Sequence, residues 1–99
     1  MPRILTMRLK RRWWEEIQSG RKTVELRLRT EYWQKRLVDQ HYDEIHLWSG
    51  YPPKTACNML LRRKWNGIVE KTITHEEFGP SPVDVFEIDV SQKFEELAP

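Results

Sequence analysis

The sequence predicts an α+β fold: a small mixed β-barrel of about five to six strands, partly closed and flanked by two or three short helices. Three observations point there. Stretches of period-two alternation outnumber stretches of helical period. Several breaks between them are turn-sized signals with no room for a helical crossover. The whole chain is 99 residues with 38% hydrophobic content, which suits one core, so residues 1–99 are read as a single domain.

Each element follows from its local pattern. Arg3–Lys10 alternates, with Leu5, Met7 and Leu9 on one side and Arg3, Thr6 and Arg8 largely on the other, as a strand does. From Arg11 to Ser19 the period changes: Trp13 pairs with Ile17 at i+4 and Trp14 with Ile17 at i+3, giving a two-turn helix that Gly20 stops. Lys22–Arg29 returns to period two, with Val24, Leu26 and Leu28 pointing one way and Thr23, Glu25, Arg27 and Arg29 the other. Thr30 caps a second short helix, Thr30 to Leu37, which brings Tyr32, Trp33 and Arg36 near one another. Asp43–Ser49 is a strand with Ile45 and Leu47 opposed to His46 and Trp48. Gly50-Tyr51-Pro52-Pro53 is a loop. Thr55–Trp65 and Ile68–Thr74 read as two strands of a hairpin about Asn66-Gly67. Thr74-His75-Glu76-Glu77 is a capping box opening a short helical turn closed by Gly79 and Pro80. Val83–Val90 is the last strand, with Phe86 and Ile88 inside.

Composition narrows the class of protein. Charged residues reach 32%, and no stretch approaches the length of a membrane span, which excludes a helical membrane protein. Five Trp, three Tyr and three Phe exclude disorder. Met1–Trp14 lacks the apolar run of a signal peptide, so the expected compartment is the cytoplasm. One cysteine, Cys57, forbids an internal disulfide, and His41, His46 and His75 do not fall at ligand spacing, so neither metal nor other cofactor is expected. The net charge of +2 conceals a segregation: residues 1–38 carry +7 and residues 39–99 carry −5. One surface that attracts anions, with nucleic acid the usual partner, is one reading; the other is that halves of a sequence need not be halves of a surface.

The chemistry concentrates in Ser19-Gly20-Arg21-Lys22-Thr23-Val24-Glu25-Leu26-Arg27. Gly20 ends a helix at a sharp turn, Lys22 sits at the mouth of that turn, and the strand leaving it carries Glu25 and Arg27 on one face. Charges of both signs converging beside exposed backbone amides suit a polar ligand, with Arg donating to a phosphate or carbonyl and Glu accepting from an amino group. A base edge or a modified nucleoside fits that description. The same spacing equally describes an ion pair on an exposed strand face.

Gly20-x-Lys22-x-x-Glu25-x-Arg27 resembles the G-x-K-x-x-E-x-R pattern of ASCH domains (activating signal cointegrator homology) of the PUA-like superfamily. The surroundings agree: the strand Met7–Lys10, Trp13-Trp14, Ile17-Gln18-Ser19-Gly20, and Ile45-His46-Leu47-Trp48-Ser49 before Pro52-Pro53. The resemblance implies a PUA-like barrel and a cleft lined by Lys22, Glu25 and Arg27, and the shortness of the chain leads to the expectation of a free-standing domain. The resemblance further implies binding of RNA, single-stranded nucleic acid or a nucleotide-like molecule. Family members are proposed or shown to bind RNA, and one branch resembles a small amidohydrolase acting on an acylated cytidine. That branch uses the motif Lys with a Thr at the position of Glu25 and a Glu farther along the chain, so here the proposed nucleophile is missing.

Around the motif, the family places a Lys at Lys10, close to the cleft, and the strand before Trp48, Ser49 and Tyr51 borders it. Trp48 is a candidate stacking platform or a core residue. Trp13 and Trp14 cannot both face one point of the core, so one lies at a surface or cleft edge, while Trp33 and Trp65 are assigned to packing. Lys10-Arg11-Arg12 and Arg62-Arg63-Lys64 are either solvated charges or a joint grip on a phosphate backbone. The ligand-binding set is therefore Lys10, Trp13, Arg21, Lys22, Glu25, Arg27, Trp48, Ser49 and Tyr51. A small hydrolase, ribonuclease or acyl-nucleoside amidohydrolase, would use Lys22 as a base beside Arg21 and Arg27, with Glu25 orienting it; no histidine is tied to the cleft by the sequence. A protein-interaction module using exposed tryptophans and the acidic C-terminal half is the remaining reading.

Overall fold

The computed structural model describes residues 2–50 and 59–94. Tyr51 and Cys57, and the first part of the expected strand Thr55–Trp65, lie outside the described residues. The elements run β1 (Ile4–Leu9), α1 (Arg11–Gln18), β2 (Val24–Leu28), α2 (Glu31–Leu37), β3 (Glu44–Ser49), β4 (Leu60–Lys64), β5 (Ile68–Ile73), a single 3-10 turn (Glu76–Phe78) and β6 (Val83–Asp89). This is an α+β fold in the expected order of elements. The six strands form two three-stranded sheets, β1-β3-β4 and β2-β6-β5, and no closed barrel is present among the described residues.

The alternation in β1 and β3 sets the first sheet. β1 pairs with β3 in parallel, putting Leu5 beside Ile45 and Met7 beside Leu47, all essentially buried. On the sequence side, α1 has no side-chain cap and no acid in its first turn, so its formation leans on tertiary burial of Trp14 and Ile17. Trp14 Nε1 donates to the Leu47 carbonyl at 2.9 Å, which fixes α1 against β3. From the second sheet, Phe86 and Ile88 of β6, together with Val90 just beyond it, join the same core. Gly20 adopts φ +86°, the left-handed geometry that stops α1, and Thr30 Oγ1 accepts the Trp33 amide at 3.3 Å to start α2.

Two turn expectations are corrected. Asn66-Gly67 does not join a hairpin: β4 pairs with β3 and β5 with β6, so the turn is a corner between sheets. Gly67 has the positive φ of a tight turn (+82°), but Asn66 Nδ2 donates to Asp89 Oδ2 at 2.7 Å, tying the corner to the end of β6 instead. Likewise Thr74 does not cap the turn before Gly79. His75 is the cap, its Nδ1 accepting the Glu77 amide at 3.1 Å, and Glu77 turns to Lys10.

The sheets meet at one end through the segment after β6. Val90 N donates to Thr23 O at 2.9 Å, and Gln92 O accepts from Lys64 N at 2.7 Å. Buried Arg63 donates from Nε to Val90 O at 3.0 Å, and burial pushes its guanidinium down from its ordinary pKa. Arg62 is held by Glu44 at 2.6 Å. The basic run 62–64 is therefore no uniform surface stripe. No helix among the described residues is long and apolar enough to cross a membrane.

Candidate functional site

β1 is at one edge of its sheet and β2 at one edge of the other, and between these edges opens a cleft with two lobes. The first lobe, about 240 Å³, lies against Lys22, Glu25 and Leu26, with Trp13, Trp33, His75 and Phe78 in its walls. The second, about 360 Å³, follows β1 from Thr6 to Lys10 and reaches Tyr32. Trp13, Glu25, Arg27, Trp33 and Glu77 border both.

Burial in β2 is concentrated on its charged face. Glu25 is 5% exposed, whereas Leu28 is 37% exposed and Val24 and Leu26 are only half-buried. A buried carboxylate needs hydrogen bonds and counter-charges, and Glu25 has them. Its Oε1 accepts the Leu26 amide at 2.9 Å and lies 3.4 Å from Arg27 Nη1 and 3.9 Å from Lys22 Nζ. The Lys22 and Arg27 side chains are themselves only 16% and 20% exposed. Arg27 also donates to the carbonyls of Leu26 (3.0 Å) and Arg8 (3.1 Å), so it spans from β2 to the edge of β1.

Aromatic rings wall this charged floor. Lys22 Nζ lies 5.3 Å from the Trp13 ring centroid, and Arg27 Cζ 5.3 Å from that of Trp33. The division of labour between adjacent tryptophans is the expected one: Trp14 is core and Trp13 faces the cleft. His75 stands 5.7 Å from Trp13 and 5.8 Å from Phe78, ring to ring. The 3-10 turn carrying it is fastened to the start of α1 by Lys10 Nζ–Glu77 Oε2 at 3.0 Å and by Arg12–Glu76. The bond from Lys10 holds the Glu77 carboxyl below the usual carboxylate range; partial desolvation opposes this, and Trp13 and Arg12 reinforce it.

Compared with protein-family models, curated proteins and solved structures, the chain matches none.

Of the expected site residues, Lys10, Trp13, Lys22, Glu25 and Arg27 come together at the cleft. Arg21 does not: its guanidinium is bound by Glu16 at 2.8 Å, away from the cleft lining. Trp48 and Ser49 do not line the cleft either. Trp48 lies on the face of β3 opposite buried Ile45 and Leu47, beside Arg8, and Ser49 is buried beside Leu9. Tyr51 lies outside the described residues. Trp33 packs against the core as assigned and also lines the cleft, while Tyr32, His75, Glu77 and Phe78 line it without having been singled out for it in the sequence. The aromatic spacing of α2 was the one available signal for Trp33; nothing local ties 75–78 to residue 25. Among the described residues, no group of three metal-ligating side chains is gathered.

Proposed function

We propose that the protein binds a nucleotide, free or within RNA, in this cleft, as an ASCH-type module of the PUA-like superfamily. The observation that carries the reading is the buried Glu25 carboxylate, flanked by Lys22 and Arg27 on one oxygen and walled by Trp13 and Trp33. A site for phosphate alone gains nothing from a carboxylate in its floor. Acceptor beside donors suits a base edge, where an amino group meets the carboxylate and a ring nitrogen or carbonyl meets the cations. The rings supply the stacking surface, worth about 1–3 kcal/mol per base in single-strand binders.

The family reading is supported by Gly20 at its left-handed φ directly after α1, with Lys22, Glu25 and Arg27 following at the motif spacing and facing one cleft. The barrel reading is supported by the bonds from Lys64 N to Gln92 O and from Arg63 Nε to Val90 O, which tie β4 of one sheet to the segment after β6 of the other. Titration with labelled single-stranded RNA and with ribonucleoside monophosphates, at low and moderate salt, tests the binding. Glu25→Gln is expected to weaken it about tenfold or more, in line with the worth of one good base contact. Absence of binding at low salt, or binding indifferent to both Glu25→Gln and Lys22→Ala, overturns the reading.

One observation favours a second reading, a small hydrolase acting on RNA or an acylated nucleoside: His75 stands in the cleft wall. Its Nδ1 accepts the Glu77 amide, so the neutral ring carries its proton on Nε2. Incubation with acylated nucleosides and short RNAs, beside Lys22→Ala and His75→Asn, separates binding from turnover. Turnover surviving both substitutions removes this cleft from any mechanism.

A further inference from the structure

The cleft continues beyond Arg27. Its second lobe reaches Tyr32, and past Tyr32 the surface falls into a depression bordered by Glu31, Lys35 and Arg36. Along this path two adjacent rings lie between two cations. Arg27 Cζ lies 5.3 Å from the Trp33 centroid, Trp33 meets Tyr32 edge-on at 5.1 Å and 86°, and Arg36 Cζ lies 4.3 Å from the Tyr32 centroid. Tyr32 is 56% exposed, and the residue of α2 that anchors it in the core is Leu37. The exposed ring is nevertheless held in position. Thr30 caps the start of α2, and Tyr42 Oη donates to the Arg36 carbonyl at 2.6 Å at its end. A large ring exposed on a fixed helix turn, backed by a guanidinium and continuous with a cleft, does little for folding and much for stacking.

We propose that Tyr32, backed by Arg36, is a second stacking subsite, taking the nucleotide next to the one held over Lys22, Glu25 and Arg27. The ligand is then a single strand of at least two nucleotides, its connecting phosphodiester crossing the second lobe beside Arg27. The inference rests on the nucleotide reading of the cleft. A duplex keeps its base faces stacked on one another, so the path suits unpaired bases. Stacking accepts any base, so Tyr32 adds affinity and length preference, while selection stays with Glu25.

The test compares ribonucleoside 5′-monophosphates with dinucleotides of the same bases by calorimetric titration. Dinucleotides are expected to bind roughly 5- to 150-fold more tightly, the worth of one stacked base. In Tyr32→Ala the ratio of dinucleotide to mononucleotide affinity falls toward one, and in Tyr32→Phe it is kept. Equal affinities in the unmodified protein, or a ratio unmoved by Tyr32→Ala, overturn the second subsite and leave the cleft reading standing. Failure of mononucleotides and dinucleotides alike to bind overturns both.

Discussion

Oε1 of Glu25 stands 3.4 Å from Nη1 of Arg27, two positions along β2, and the same oxygen accepts the intervening Leu26 amide at 2.9 Å. The carboxylate is thus oriented by its own strand before any ligand arrives, which lowers the ordering cost of binding.

Removing that carboxylate leaves two part-buried cations without their shared partner. Glu25→Ala is expected to lower stability by about 1–3 kcal/mol, read from urea unfolding, with Glu25→Gln costing less because it keeps an acceptor for Leu26. An alanine variant as stable as the parent contradicts the buried cluster described above.

Trp13 and Trp14, neighbours in sequence, are predicted to respond oppositely. Trp14→Phe removes the donor to the buried Leu47 carbonyl and costs about 1–3 kcal/mol. Trp13→Phe keeps a ring at the cleft wall and stays within about 1 kcal/mol of the parent, while Trp13→Ala weakens nucleotide binding. Equal stability losses in the two phenylalanine variants contradict the assignment.

Glu16, Glu44 and Glu77 are all held below the ordinary glutamate value of 4.5, chiefly by hydrogen bonds from Arg21, Arg62 and Lys10 respectively. A depressed carboxyl binds fewer protons folded than unfolded, so its contribution is present above 4.5 and is lost as pH falls through the lowered folded value. Unfolding free energy is therefore expected to decline on acidification below that point, with a shallower decline in Arg62→Met. An unchanged slope in Arg62→Met sinks the assignment for Glu44.

Lys10 is shared between Glu77 and the second lobe. Glu77→Gln releases its ammonium for a phosphate, so single-stranded RNA should bind more tightly at low salt. The slope of log affinity against log salt should steepen by up to about 0.7, the value of one extra phosphate contact. Weaker binding in Glu77→Gln means instead that Glu77 itself contacts the ligand.

Local patterns in the sequence carry the order of elements, the inward faces of β1 and β3, the stop at Gly20 and the split between Trp13 and Trp14. Each depends on residues within a few positions of one another. Pairing between distant segments is where such patterns run out. Asn66-Gly67 has the chemistry of a tight turn, but whether β4 and β5 pair across it depends on which sheet each joins, and they join different ones. His75 and Phe78 reach the cleft because their turn lies against α1, with His75 facing Trp13 and Glu77 and Glu76 paired with Lys10 and Arg12.

The charge asymmetry is the clearest instance. The basic excess of the first third is real in sequence, yet Lys10, Arg12 and Arg29 are each paired with a glutamate from the later part of the chain: Glu77, Glu76 and Glu70. Part of the segregation along the chain is therefore neutralised in space. What distinguishes the cleft is one buried acceptor between two cations, and β2 hides it by burying its charged face more deeply than Leu28.

A crystal structure of the protein soaked with a ribonucleoside monophosphate, at a concentration that saturates binding in solution, tests the central claim most directly. The predicted result is a base stacked at the wall formed by Trp13 and Trp33, with its polar edge on Glu25 and Arg27. A nucleotide bound elsewhere, or a cleft contacting the phosphate alone while the base points to solvent, contradicts it.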